Sequence, residues 1–169
     1  MPVDPCRSPS GRPVEEYLEV AERTGAFRPC EIEVLREVLT DAFVDPAKGY
    51  CFLENRENDR IEAFAVFGRA PMTEWAWDLY WIVVDRSLQG RGLGRRILGR
   101  VEEAVSASAG KAILRVETSG RPEYEGQRHF YLRTGFRETG RIPDFYEAED
   151  DLVTYCKFLS GGLAPEMAS

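Results

Sequence analysis

The chain has little with which to build a metal site. It carries one histidine and four cysteines among 169 residues, and Cys6, Cys30, Cys51 and Cys156 never fall into a C-x-x-C spacing. A zinc centre made from imidazole and thiolate ligands is disfavoured on that count, so no metal is expected. The scattered thiols are expected to be reduced, ordinary residues. No apolar run reaches the ~18–20 residues that a membrane-spanning helix needs. The first 13 residues hold four prolines and no apolar stretch, which excludes a secretory signal. A soluble cytoplasmic protein with no membrane partner is the expectation. An excess of base is missing too: 29 acidic residues stand against 22 basic ones, a net charge of −7. Nucleic-acid surfaces need clustered positive charge, so that partner class is also set aside. No internal repeat and no low-complexity block interrupts the chain.

What is present suits one compact mixed domain. Residues 1–12 read as a disordered tail, 13–159 as a single domain and 160–169 as a loose C-terminal tail. Pro13 opens a helix over 14–23 that Gly25 ends. Apolar residues at three-to-four spacing put a second helix over 31–43. The period then changes to that of strands. Residues 50–55 and 61–68 read as a hairpin around a polar turn at 56–59, and the aromatic run 77–84 reads as a central strand. Within 91–108 the residues Leu93, Ile97, Leu98, Val101, Ala104 and Val105 form one apolar helical stripe, stopped by Gly110. A buried strand at 111–118, a short helix at 123–134 and strands at 136–142 and 152–159 complete the order α α β β β α β α β β. The strand–helix–strand unit over 77–118 predicts a right-handed parallel crossover.

One segment stands apart from the acidic average. Between residues 86 and 100 lie five arginines and no acid, wrapped around Gln89, Gly90, Arg91, Gly92, Leu93 and Gly94. Glycines let a backbone turn tightly and bring bare N–H groups to one point. A helix N-terminus adds unpaired amides and partial positive charge, which suits phosphate. Gln89, Arg91, Arg95 and Arg96 add side-chain donors. The dinucleotide fingerprint G-x-G-x-x-G fails, because its last position falls on Arg95 or Ile97. The P-loop fails as well, because Gly94 is followed by two arginines and not by Lys and Ser/Thr. From spacing alone this is a phosphate cradle whose owner stays open.

The stretch from Asp85 through Arg86, Ser87, Leu88, Gln89, Gly90, Arg91, Gly92 and Leu93 to Gly94 resembles the coenzyme A pyrophosphate loop of the GNAT superfamily of N-acetyltransferases. Phe130, Tyr131, Leu132, Arg133, Thr134, Gly135 and Phe136 resemble that family's F-Y-x-x-x-G-F signature. The likeness covers roughly residues 30–159, and the residues around Trp77–Asp78 and Asp144–Phe145 resemble a bacterial subgroup of it. The resemblance implies an α/β (α+β) GNAT fold: a mixed, mostly antiparallel sheet of about six to seven strands with flanking helices. It also implies a V-shaped opening between the two central parallel strands. Acetyl-CoA would be the cosubstrate. Its pantetheine arm would pair with the backbone of Ile82, Val83 and Val84, and Thr118 would contact it from the neighbouring strand.

The same resemblance casts Tyr131 as the proton donor to the departing thiolate; His129, whose ordinary pKa lies near neutrality, is the alternative carrier. Glu117 or Asp78 would be the base, Asp78 with its pKa raised by the flanking Trp77 and Tyr80. Trp75, Trp77, Tyr80, Trp81, Phe145 and Tyr146 are candidates for a substrate wall as well as for the core, with Asp144 or Asp150 drawing in a cation. The acceptor is expected to be a primary amine of a cationic small molecule, with a protein amine and a homodimer both allowed. A non-catalytic acyl-CoA-binding sensor domain on the same fold is the rival reading. A nucleotide-dependent kinase is disfavoured by the missing Lys-Ser/Thr.

Overall fold

The computed structural model describes residues 13–108 and 111–159. Both terminal tails, Cys6 and Gly110 lie outside the described residues. The elements are α1 (Val14–Thr24), α2 (Pro29–Val44), β1 (Tyr50–Glu57), β2 (Arg60–Arg69), β3 (Ala76–Val84), α3 (Leu93–Ser108), β4 (Ala112–Ser119), α4 (Glu125–Arg133), β5 (Arg137–Glu147) and β6 (Asp150–Leu159). They build a six-stranded sheet of order β1-β2-β3-β4-β6-β5, in which β3 and β4 run parallel and the registered neighbours β1–β2, β4–β6 and β5–β6 run antiparallel. This is the expected α/β (α+β) class, with the aromatic run of β3 inside the sheet. The chain divides into two compact units, and β3 and α3 each contribute to both.

The first unit holds α1, α2, β1, β2, β3 from Leu79 onward and α3 up to Ala104. Acids at Glu15 and Glu16 suit the positive end of α1, Arg23 suits its last turn, and Gly25 ends it at φ 66°. Pro29 starts α2, where the Glu31 carboxylate accepts from the Arg28 N–H at 2.8 Å. The inward faces of these helices meet one side of the hairpin. Tyr17, Leu18, Leu35, Leu39, Phe52, Phe64 and Val66 form one buried cluster with Val83. Five consecutive residues of β2, from Ala63 to Phe67, are fully buried, as expected for a strand covered on both faces. The hairpin turn is tighter than the polar stretch 56–59 suggested. Asn58 and Asp59 alone make it, both left-handed at φ 46° and 66°, because a two-residue turn of that hand matches the twist of the strands.

The second unit holds the start of β3, β4, α4, β5, β6 and the end of α3. Ala76, Trp77 and Asp78 pair in parallel with Ile113, Leu114 and Arg115, so this ladder is three pairs long in strands of nine and eight residues. β4 pairs with β6 along its whole length. β5 starts at Arg137 and continues to Glu147, five residues further than expected; its pairing with β6 shifts register twice, and the strand is exposed throughout. A short 3₁₀ turn, Pro122–Tyr124, precedes α4, so the α-helix itself begins at Glu125.

Among the described residues no helix is long and apolar enough to cross a membrane. Cys30 and Cys156 are free thiols. Cys51, with 1% of its surface exposed, is disulfide-bonded, which corrects the expectation that all four cysteines are reduced.

Candidate functional site

In the first unit the turn after β3 is assembled around Asp85. Its backbone N–H bonds to the Glu62 carbonyl of β2 at 2.9 Å. Its carboxylate accepts from the Ser87 N–H at 2.9 Å and the Ser87 hydroxyl at 2.8 Å, which folds Arg86–Leu88 into one 3₁₀ turn. Arg60 reaches the same oxygen at 3.0 Å, and Arg23 reaches the other at 3.4 Å. Burial pushes this carboxyl's pKa up, but the bonds from Ser87 and Arg60 outweigh it and hold the pKa at about 2.

Beyond this anchor the backbone reverses twice. Gly90 and Gly92 sit at φ 77° and 80°, in the left-handed region. A Cβ at either would meet nothing within 4 Å, so backbone conformation rather than space requires glycine there. Gly94 is already helical, inside the first turn of α3; only two of the three glycines make the bend. The Arg96 N–H bonds to the Gly92 carbonyl at 3.0 Å. The N–H groups of Leu93, Gly94 and Arg95 therefore open α3 with no helical acceptor. Together with the helix dipole they form a seat for an anion. Arg91, Arg95 and Arg96 are exposed around it. Arg100, also part of the basic patch, is committed to β1: it donates to the Glu54 carbonyl and the Asn55 side-chain oxygen, both at 2.6 Å. Gln89 is exposed, and its side-chain amide donates to the Val84 carbonyl at 3.3 Å. Ile82 and Val84 are half-buried, and Val83 belongs to the core.

In the second unit α4 carries Tyr131, with 5% of its surface exposed. Phe130, Phe136 and Tyr155 surround its ring, at centroid distances of 5.5, 5.4 and 6.1 Å. Burial pushes its pKa above the ordinary tyrosine range, so the group keeps its proton at physiological pH. His129 lies on the exposed side of α4, 4.0 Å from Glu125.

Arg115 links the two candidate carboxylates. Its Nε and Nη2 grip Asp78 in a two-pronged pair at 2.6 and 3.1 Å, and its Nη1 lies 3.7 Å from Glu117. Asp78 was expected against aromatic surfaces; both of its oxygens are instead engaged by a guanidinium, since cross-strand pairing sets Asp78 opposite Arg115. Glu117 stays exposed. On the opposite face of β4, Thr118 is buried and donates to the Gln127 side-chain oxygen of α4 at 3.3 Å.

The aromatic candidates part company. Trp77 is core, and Trp81 packs half-buried against the first unit's cluster. Tyr80 is partly exposed beside Tyr50, Trp75 carries the Lys111 ammonium over its ring at 4.0 Å, and Phe145 and Tyr146 form an exposed edge-to-face pair. Asp150 does not face solvent. It is fully buried, bonded by the Ser119 hydroxyl and 3.6 Å from Arg121. Asp144 sits at φ 52° and accepts from the Glu149 N–H at 2.7 Å, a hairpin-shaping role.

Sequence reading missed Arg23, Arg60 and Arg115. The first two lie 62 and 25 positions before Asp85, with no local signal; for Asp85 itself the cue was available, because Asp-x-Ser is a side-chain-capped turn. Among the described residues no group of three or more His, Cys, Asp or Glu side chains could hold a metal ion.

The family model of the acetyltransferase (GNAT) domain matches residues 47–138. A solved structure of a GNAT-family acetyltransferase from Desulfovibrio desulfuricans shares 36% identity, over 85% of this chain and 91% of that one, with a TM-score of 0.82. An aminoglycoside 6′-N-acetyltransferase complexed with coenzyme A is similar in fold: TM-score 0.72 over 94% and 98% of the two chains, at 14% identity. An uncharacterised protein of Mycobacterium leprae is 30% identical over 99 residues, 58% of this chain. The chain spans about a quarter of that relative's length, 26%.

Proposed function

This chain belongs to the GNAT acetyltransferase family, and from that premise we propose that it moves an acetyl group from acetyl-CoA to a primary amine of a small molecule, by direct attack in a ternary complex. The observation that carries the reading is the left-handed pair Gly90 and Gly92 opening onto the unpaired first-turn amides of α3. That seat takes the coenzyme pyrophosphate, helped by Gln89, Arg91, Leu93, Gly94 and Arg95. The pantetheine arm runs along the backbone of Ile82, Val83 and Val84, and Thr118 contributes from β4.

In the transfer step the amine nitrogen attacks the thioester carbonyl carbon, the C–S bond breaks, and the thiolate takes the Tyr131 proton. The proton shed by the amine goes to Glu117, directly or through water. Asp78, held at both oxygens by Arg115, orients that guanidinium and through it Glu117. With a surface of net charge −7, a cationic acceptor is favoured over an acidic one; a protein amine and a homodimer stay within the proposal. A water-exposed lysine-like amine has a pKa near ~10.4 and is mostly protonated at neutral pH, which is why a base is needed.

The test is acetyl-CoA turnover over a panel of amines, read as thiol release, for the parent and for Tyr131→Phe. An active parent and a variant slower by ~10²–10⁴-fold, with unchanged coenzyme affinity, supports the reading. No turnover with any amine alongside tight coenzyme binding supports a non-catalytic acyl-CoA sensor instead.

A further inference from the structure

Asp85 is one of two acidic residues buried in the described part of the chain, and it lies where a carboxylate is least expected, five positions ahead of the first left-handed glycine of an anion seat. An uncompensated carboxylate there would oppose a pyrophosphate and would be costly to bury. The structure compensates it twice over. Ser87 supplies two donors, at 2.9 and 2.8 Å. Arg60 supplies a third at 3.0 Å, and the same Nη2 also donates to the Ser87 hydroxyl at 2.7 Å. Arg23 from α1 closes the other oxygen at 3.4 Å. Arg23 and Arg60 are otherwise half-exposed side chains, at 55% and 54%, and Arg23 also lies 3.9 Å from Glu19 on its own helix.

We propose that Asp85 is a positioning residue for the coenzyme: with Ser87, Arg60 and Arg23 it pre-orders the turn that carries Gly90 and Gly92. It does not touch the reacting atoms. Its N–H bond to the Glu62 carbonyl of β2 fixes where the turn leaves β3, and its carboxylate fixes the direction in which residues 86–88 coil. The pyrophosphate then meets amides already aimed at it, in place of a loop whose ordering must be drawn from binding energy.

The inference rests on the acetyl-CoA reading, and one set of titrations separates the two. Coenzyme A is titrated calorimetrically into the full chain, Asp85→Asn, Arg60→Gln and the double variant, with melting temperatures recorded for each. Asn keeps an Oδ1 acceptor for the Ser87 N–H and for Arg60, but it removes the negative charge and the second oxygen, which releases Arg23. The expected result is coenzyme affinity weaker by ~10-fold in Asp85→Asn, equivalent to about 1.4 kcal/mol. Arg60→Gln weakens it ~3- to 10-fold, and the double variant is no weaker than Asp85→Asn, because both act through one cluster. In steady state the KM for acetyl-CoA rises while kcat stays within ~2-fold, a split that a general loss of packing does not produce. If Asp85→Asn does not fold, Arg60→Gln decides, its side chain being half in solvent. A parent that binds coenzyme A while the folded variants bind within ~2-fold of it overturns the inference alone. A parent that binds no coenzyme A removes the acetyl-donor reading and this inference with it.

Discussion

At the scale of single residues, the account turns on protons and on backbone hand. Tyr131 is buried among three aromatic rings, and its pKa lies above the ordinary tyrosine range. A group shifted upward stays protonated through neutrality, so it imposes no falling limb on the rate below pH ~10. For a lysine-like acceptor, kcat/KM is expected to rise with pH toward the amine's own pKa and not to turn down by pH ~9.5; a pH–rate profile checks this. Asp85 is shifted the other way. Its folded pKa of about 2 lies below the ~3.9 of an unfolded chain, so its contribution to stability is fully present above pH ~4 and is lost as pH falls toward 2. In acid-unfolding titrations Asp85→Asn should flatten the stability curve in that window and leave its slope above pH ~5 unchanged. The glycine turn was legible in the sequence because its signal is local. The Arg23–Asp85 and Asp78–Arg115 pairs were not, because only folding brings residues 62 and 37 positions apart into contact.

At the scale of elements, the sequence pattern located the α-helices and strands of the described residues but not the three short 3₁₀ turns, and the remaining errors lie at element ends. The hairpin shows why. Residues 56 and 57 are polar and look like turn, yet they pair as strand, because exposed backbone at a sheet margin needs partners more than it needs apolar side chains. The turn that remains, Asn58 and Asp59, asks two non-glycine residues to be left-handed. Asp59→Gly relieves the second at a gain of ~1 kcal/mol. It also removes an exposed pair with Arg56 at 3.5 Å, worth about 0–1 kcal/mol. A net stabilisation of roughly 0.5 kcal/mol is expected, read as a small rise in the denaturant midpoint at constant slope. The opposite outcome belongs to α2: Leu35, fully buried in the first unit's cluster, should cost ~2–5 kcal/mol when cut to Ala. β5 ran past its expected end because its outer residues face solvent along the whole strand and so carry no alternation to read.

At the scale of the whole molecule, an acidic chain concentrates free base at the start of α3. Arg91, Arg95 and Arg96 are exposed there, while Arg100 is tied to β1 and Arg23 and Arg60 to Asp85. Coenzyme affinity should therefore weaken with added salt, since exposed charges are screened over ~8–10 Å at physiological ionic strength. The left-handed glycine turn lies in one compact unit, and Tyr131, Asp78 and Glu117 lie in the other. That division was invisible in a sequence whose elements alternate without a linker. The most direct measurement is a calorimetric titration of coenzyme A into the intact chain and into Gly92→Val. The account predicts binding in the ~1 μM to 1 mM range usual for such ligands, and at least ~10-fold weaker binding to the variant, with its melting temperature within a few degrees of the parent's. No binding heat from the parent, or equal affinity in a folded variant, would contradict it.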